Sequence, residues 1–504
     1  MLILMRLFQA IPKRFKQTFL WTASLALIIH LYIFTNNYLN HDSLFDFYAN
    51  SGSDSSGRFS LMYFKGLTSF FSLHYIQGIL SVIFLGLTVA LLVELFDLKT
   101  KWIIIPFSVL YVSYPTVAGT FSYMFTSHAY FLACLITVLG IYLCFKIERK
   151  WLAIVIGSIL FYLALGTYQI NLAYGATLIL LLFLKQLLTD NNVAIKSLSS
   201  SILMLGIGLI GYIVHFKVYQ KVNGLLDYNG ISNSGKIDLE TIIQANDNIF
   251  KDIKYFFFND FHFERLFEML NVAYFALFVI LFILVIIMRK VSILKIILAI
   301  VTIILLPYSL YLIYFISPDV EYHLIMKQHF ALLFIVGLAL LQTIVSHQKI
   351  IVQIFAIVAL TVFSLIGYNQ ILISNIYYEK LSDLNQETFS LMTRVAYDIQ
   401  HTSGYKIDTE IVIVGYPSIM MKVPERYDLF TPKNVGTNSR IVYDYASAMA
   451  YLRNEIGLPN NVPKKSTQFI EQHQEEFKTM NNWPEEGSIQ FIDDKLVIKF
   501  SGGN

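Results

Sequence analysis

Charge is what this 504-residue sequence has least of: Asp, Glu, Lys and Arg make up 14% of it, against about 25% in ordinary soluble domains. The small net charge of +3 gives no electrostatic case for a nucleic-acid partner. Cysteine is nearly absent. Cys134 and Cys144 lie in one apolar run, and on a helix their spacing is a rise of about 15 Å, too far for a disulfide. They indicate neither a redox pair nor a metal site. A P-loop, a zinc-ligand cluster and a dinucleotide fingerprint are all missing, which leaves soluble nucleotide-driven chemistry without support. Carboxylates are scarce within the apolar runs, which weighs against a buried proton relay. There is no internal repeat and no inverted-topology symmetry of the kind many transporters carry.

What is present is hydrophobicity, 56% of the residues, arranged in runs of about 20, the length that crosses a hydrocarbon core. The runs predict about eleven spans, near 17–37, 76–96, 102–118, 128–146, 151–167, 170–186, 199–217, 270–288, 293–316, 328–345 and 349–372. The first follows Arg6, Lys13, Arg14 and Lys16. It is too long for a signal-peptide core and has no small-x-small cleavage site, so it reads as a retained span. Basic residues gather in alternate loops: "PKRFK", "DLKTK", "KIERK", "RKVSILK" and "SHQK" on one side, only Arg58, Lys65 and Lys327 in the short loops of the other. By the positive-inside rule the amino terminus is cytoplasmic and the carboxyl terminus extracytoplasmic. Trp102 and Trp151 each follow a lysine at a cytoplasmic boundary, as an interfacial aromatic belt requires.

The predicted external face is the elaborate one. It holds a loop at 38–75, a short turn at 119–127, a tight turn at "GTYQIN", a long loop at 218–269, a loop at 317–327 and a polar tail. Residues 1–372 therefore read as a transmembrane module and 373–504 as a small extracytoplasmic α/β domain. In the tail, "ETFSLMTRVAYDIQ" has helical periodicity, "EIVIVG" reads as a buried strand and "DYASAMAYLRNEIG" as a helix closed by glycine. "SIQFIDDKLVIKF" alternates about Asp-Asp and predicts a hairpin.

The first external loop, "NHDSLFDFYANSGSDSSGRF", concentrates the chemistry. Asp42 and Asp46 are four apart and share a face in a helix. Arg58 follows a Gly/Ser turn. One reading is a carboxylate base and a guanidinium phosphate clamp; the plainer one is a solvated loop whose charges keep it out of lipid. Pro115, Tyr123, Thr126 and His128 fall where two spans meet water, and interfacial tyrosines commonly do no more than form a belt. Tyr168 and Gln169 sit at "GTYQIN"; a glutamine at that depth must face protein or a cavity, and helix packing explains it as readily as ligand binding. "SPDVEYHLIMKQ" groups Asp319, Glu321, Tyr322, His323 and Lys327.

The order of these segments, "NHDSLFDFY", "SSGRF", "YPTVAGTFSYMFTSHAYFLA", "LALGTYQIN", "EYHLIM" and "EKLSDLNQETFSLMTRVAYDIQ…EIVIVG", resembles that of the GtrII-like bacterial membrane glucosyltransferases, a family of GT-C architecture. The chain departs from the family's pattern at Phe59, where relatives tend to have Trp. The resemblance implies an inverting glycosyltransferase in the bacterial cell membrane. It would move a hexose, typically glucose, from a polyprenyl-phosphate donor to a surface polysaccharide or teichoic-acid-type glycan. It also implies Asp42 as the catalytic base, with Asp46 as a supporting carboxylate. Arg58, Tyr123, Tyr168, Gln169, Tyr322 and His323 would bind the donor phosphate or sugar. Partners would be the lipid-linked sugar, the acceptor glycan and membrane lipids, with a polyprenyl-phosphate sugar synthase and a flippase supplying the donor. No cofactor is expected, and a divalent metal is not indicated. Two other classes compete: a transporter or flippase of lipid-linked sugars, which would need a polar path through the midplane, and a non-catalytic scaffold of a wall-polysaccharide assembly complex.

Overall fold

Runs of apolar residues without Gly-Pro breaks dictate long helices, and in the computed structural model they form them. The residues described are 11–45, 56–223, 239–258, 266–317, 319–345, 350–417, 440–459 and 466–501. These cluster into two compact units: the first holds the described residues up to 35 and from 56 to 375, the second those from 36 to 45 and from 376 onward.

The first unit is all helix. In chain order it contains α1 (Lys13–Thr35), α2 (Leu61–Lys65), α3 (His74–Leu95), α4 (Lys101–Val112), α5 (Pro115–Ser122), α6 (Met124–Lys146), α7 (Lys150–Leu165), α8 (Asn171–Thr189), α9 (Ile195–Asn223), α10 (Leu239–Phe258), α11 (Leu266–Arg289), α12 (Ile293–Leu310) and α13 (Leu333–Val345). Helix α14 (Ile350–His401) continues into the second unit. Among the described residues, ten helical segments are long and apolar enough to cross a membrane. Helix α1 packs on α3, α3 on α6, α6 on α7, α7 on α9, and α12 on α8. Helices α4, α5 and α8 are largely buried, whereas α11 and α12 leave Ile280, Ile283, Ile287, Ile297, Val301 and Ile304 exposed. In a chain of this composition that outer apolar surface is the lipid-facing one.

The structure differs from the sequence expectation at four places. The run at 151–167 is a helix of 16 residues, α7, about 24 Å long and shorter than the ~30 Å hydrocarbon core. The expected turn at 119–127 is helical except at Tyr123, which separates α5 from α6, and all of Pro115–Ser122 is buried. The part of the 218–269 loop that is described is mainly the amphipathic helix α10, with Ala245, Ile249 and Phe256 buried along one face. The last span and the tail's first helix are a single element, α14, of 52 residues. No proline interrupts it, and its one glycine, Gly367, is tolerated within an otherwise strong helical pattern.

In the second unit the tail reads much as its periodicity suggests. Strand β1 (Ile411–Val414) pairs in parallel with β3 (Lys495–Lys499), which pairs antiparallel with β2 (Ile489–Ile492), giving the order β1-β3-β2. The hairpin turns at Asp493, whose φ is +52°. Helix α15 (Tyr445–Tyr451) opens with a capping box between Asp444 and Ser447, and its C-terminal extension closes at Gly457 in the left-handed region. Helices α16 (Ser466–Gln472) and α17 (Gln474–Thr479) follow. Leu391, Met392, Val395 and Ile399 of α14 form a core with Ile411, Ile413, Leu496 and Ile498. Leu44, from the segment before the first unit's Arg58, belongs to this same core.

Candidate functional site

Arg58 is placed by the residue before it. Gly57 has φ +74°, and a Cβ there would stand 2.5 Å from the Tyr212 hydroxyl, so only glycine lets the backbone press this closely against α9. The Gln169 amide donates to the Ser56 carbonyl at 2.6 Å and to the Tyr212 hydroxyl at 2.9 Å. The Ser60 N–H donates to the Gly166 carbonyl at 2.7 Å. Phe59 fills the space among Tyr162, Tyr212 and His215, with its ring centroid 4.0 Å from that of His215. The turn between α7 and α8 thus anchors the loop on both sides of Arg58. The guanidinium lies over the Tyr168 ring, 4.8 Å from its centroid, and one nitrogen approaches the Tyr130 hydroxyl at 3.4 Å. Tyr130 and Tyr168 are stacked, with centroids 4.7 Å apart. A guanidinium on a tyrosine face gains a cation–π contact, and that face is desolvated.

The 317–327 loop is drawn inward. The Thr116 hydroxyl donates to the Leu324 carbonyl at 3.0 Å. Tyr322 is buried, donates to the Leu310 carbonyl at 3.0 Å, and packs on Tyr311 and Tyr314. Burial raises its phenol well above its ordinary value, and Tyr314, Tyr168 and Asp252 add to the effect. His323, next in sequence, is half exposed instead, with Nδ1 4.0 Å from a Glu321 carboxylate oxygen.

Lys327 and Asp252 join this cluster without having stood out in the sequence as site residues. Lys327 is 2% exposed, and its ammonium lies 4.5 Å from the centroid of Phe256 and 5.9 Å from that of Tyr311. Burial pushes its pKa down to about 8 against the opposing pull of Asp252. Asp252 lies on α10 one turn before Phe256, and one of its oxygens accepts from the Tyr314 hydroxyl at 2.6 Å. Helix α10 is also tied by Tyr308 donating to Asn246 and by Gln244 donating to Asp319, both at 3.2 Å. The available signal was the apolar-and-carboxylate face of α10 together with a lysine closing an almost cation-free loop.

In the second unit, Asp42 sits on a loop pinned by amides. Leu39 and the Asn385 side chain exchange two hydrogen bonds, at 2.9 and 3.0 Å. The Asn40 side-chain carbonyl accepts from the N–H groups of Asp42 and Ser43. Asn454 donates to the Leu44 carbonyl at 3.0 Å. These bonds, with Leu44 in the core, leave the Asp42 carboxylate half exposed and 3.5 Å from the His41 Nε2. His41 in turn packs edge-on against Tyr443.

The other sequence candidates separate. Gln169 spends its amide N–H groups on Ser56 and Tyr212, so its observed work is to hold the Arg58 loop. Tyr123 is half-buried at the α5–α6 break. His128 is buried, with Nε2 3.1 Å from the Phe64 carbonyl. Asp46 lies outside the described residues. Among the described residues no group of three His, Cys, Asp or Glu side chains is placed to hold a metal ion.

Comparison with curated proteins and with solved structures returned no match. A family model does match, that of glucosyl transferase GtrII, over residues 31–326. It covers more than half of the chain, from the end of α1 through the loop that carries Tyr322. The match makes glucosyl transfer the reaction class, and the chain belongs to the GtrII glucosyl transferase family.

Proposed function

We propose that this protein is an inverting membrane glucosyltransferase taking its sugar from a polyprenyl-phosphate donor and delivering it to a cell-surface glycan on the outer face of the bacterial membrane. The observation that carries this reading is the Arg58 cradle. A guanidinium lies on stacked tyrosines, next to a loop whose backbone is fixed by Gly57 and Gln169, at one end of a bundle of apolar helices. A lipid carrier keeps its phosphate in the interfacial region, so a cation at the helix ends is suited to it.

The chemistry follows. In a single displacement, Asp42 accepts the proton of the acceptor hydroxyl as that oxygen attacks the anomeric carbon. The bond from that carbon to the phosphate oxygen breaks, and the polyprenyl phosphate leaves with one more negative charge. A positioned cation is worth most where charge develops in a water-poor environment, the role assigned to Arg58. The half-exposed Asp42 carboxylate can return its proton to water. Tyr168 supports the guanidinium, and Gln169 maintains the loop. The topology belonging to this reading has the amino terminus cytoplasmic and the second unit extracytoplasmic.

The test is transfer by the purified protein in detergent, with labelled polyprenyl-phosphate glucose as donor and surface glycan from cells lacking the protein as acceptor. Label in the glycan supports the reading. Intact donor after prolonged incubation, with glycan from cells that have and lack the protein identical in composition, overturns it.

A further inference from the structure

Lys327 and Tyr311 share one buried place, and the half-buried Asp252 borders it through Tyr314. No carboxylate oxygen lies within 4.0 Å of the Lys327 Nζ among the described residues. The Tyr311 hydroxyl is buried and has no hydrogen-bond partner among the described residues. Asp252 gives one oxygen to Tyr314, and a carboxylate has acceptor capacity beyond one bond. A buried donor left unpaired is costly, and in a native structure such groups need a reason.

The chemistry of the place selects among ligands. A phosphate brings only acceptors when fully ionised, and it would meet Asp252 as a like charge. A lipid chain would leave the ammonium and the phenol without partners. A sugar hydroxyl donates and accepts at once, so one hydroxyl can accept from Lys327 or Tyr311 while it or a neighbour donates to Asp252. The aromatic rings of Phe256, Tyr311 and Tyr322 supply apolar faces for the C–H groups of a pyranose, in the mixture of apolar walls and few polar groups that small-molecule sites share.

We infer that Lys327, Asp252 and Tyr311 form the subsite that reads the hydroxyls of the transferred hexose, while Arg58 takes the phosphate of the same donor. This rests on the proposed function, because it assumes a glycosylated lipid phosphate as donor. The three residues are specificity determinants, and none forms or breaks the glycosidic bond.

The test measures binding of two lipids, polyprenyl-phosphate glucose and sugar-free polyprenyl phosphate, to the full chain in nanodiscs. Lys327→Met and Asp252→Asn are each expected to weaken binding of the glucosylated lipid about tenfold or more and to leave the sugar-free lipid unchanged. Variants that bind both lipids as the wild type does would overturn the subsite while leaving the donor reading intact. Wild-type protein that binds neither lipid would overturn the donor reading and the subsite with it. If a variant loses both lipids, unaltered protein decides with glucosyl lipids lacking one hydroxyl at a time. At least one such lipid must bind about tenfold weaker; equal binding by the whole set refutes the assignment.

Discussion

The candidate charged residues of the two units sit in opposite surroundings. In the first, cations are withdrawn from water: Arg58 lies on Tyr168, and Lys327 is enclosed by Phe256 and Tyr311. In the second, Asp42 is held out on a loop whose backbone is fixed by Asn40, Asn385 and Asn454 while its carboxylate stays half exposed. Under the proposed function the difference suits two kinds of work. A group that binds an anion or reads hydroxyls gains from a low-dielectric, pre-ordered setting. A general base must give up its proton after each turnover, and contact with water provides the route.

The largest effect that would break this contrast comes from Asp42. Asp42→Asn keeps the shape and the backbone hydrogen bonds but removes the proton acceptor, so kcat should fall by about 10²–10⁴-fold with donor binding unchanged. Normal turnover would return Asp42 to the status of a solvated loop residue. Asp46→Asn should cost nearer tenfold, below the roughly 10²-fold lower end of a general-base effect.

Arg58→Lys tests the other side. The ammonium keeps the charge but loses the planar face on Tyr168 and the two-pronged edge. A charged hydrogen bond of about 1.5–3 kcal/mol is at stake, so donor affinity should drop roughly tenfold to a hundredfold, with the pH profile of kcat unchanged. Wild-type affinity for sugar-free polyprenyl phosphate in this variant would remove phosphate binding from Arg58.

A pH series on Lys327 comes next. Its pKa is pushed from 10.5 down to about 8 by burial, so the folded chain holds fewer protons than the unfolded chain between those values. The favourable contribution to stability is therefore complete above about pH 10.5 and is lost as pH falls through 8. Binding that needs the ammonium runs the other way and should weaken roughly fivefold from pH 8 to 9, by the fall in its protonated fraction. Lys327→Met should flatten both curves; a variant that keeps either slope assigns that slope to another group.

The smallest effect is expected at Gly57. In Gly57→Ala the left-handed backbone costs about 1–2 kcal/mol, and the added methyl group meets Tyr212. Thermal stability should fall, and donor affinity should drop several-fold as Arg58 shifts. Unchanged affinity would mean that the loop backbone does not position the guanidinium.

What could be read from the sequence followed from local pattern. Apolar runs marked the spans, "GTYQIN" marked the break that ends α7, and the alternation about Asp493 marked the hairpin. Arg58 and Tyr168 were visible as polar residues at the ends of spans, though not that one would lie on the other. Other features depend on tertiary partners. Gln169 could be read equally as a packing or a ligand-binding amide, because its acceptor, the Ser56 carbonyl, lies far away in sequence. Leu44 reads as an ordinary loop leucine until the core of the second unit forms around it. Asp252 and Lys327 are separated by the whole of α11 and α12, so no spacing rule brings them together. The continuity of α14 was hidden by the change from apolar to polar composition near residue 372, a change of surroundings rather than of backbone.

The shortness of α7 has a consequence for the lipid itself. A helix of about 24 Å falls some 6 Å short of the usual hydrocarbon thickness, and a bilayer answers such a mismatch by thinning locally. The Gly166–Ile170 turn, which anchors the Arg58 loop, ends this short helix. Under the proposed function, a lipid-phosphate carrier would meet the guanidinium beside the helix that thins the bilayer, and that thinning would help to present the phosphate.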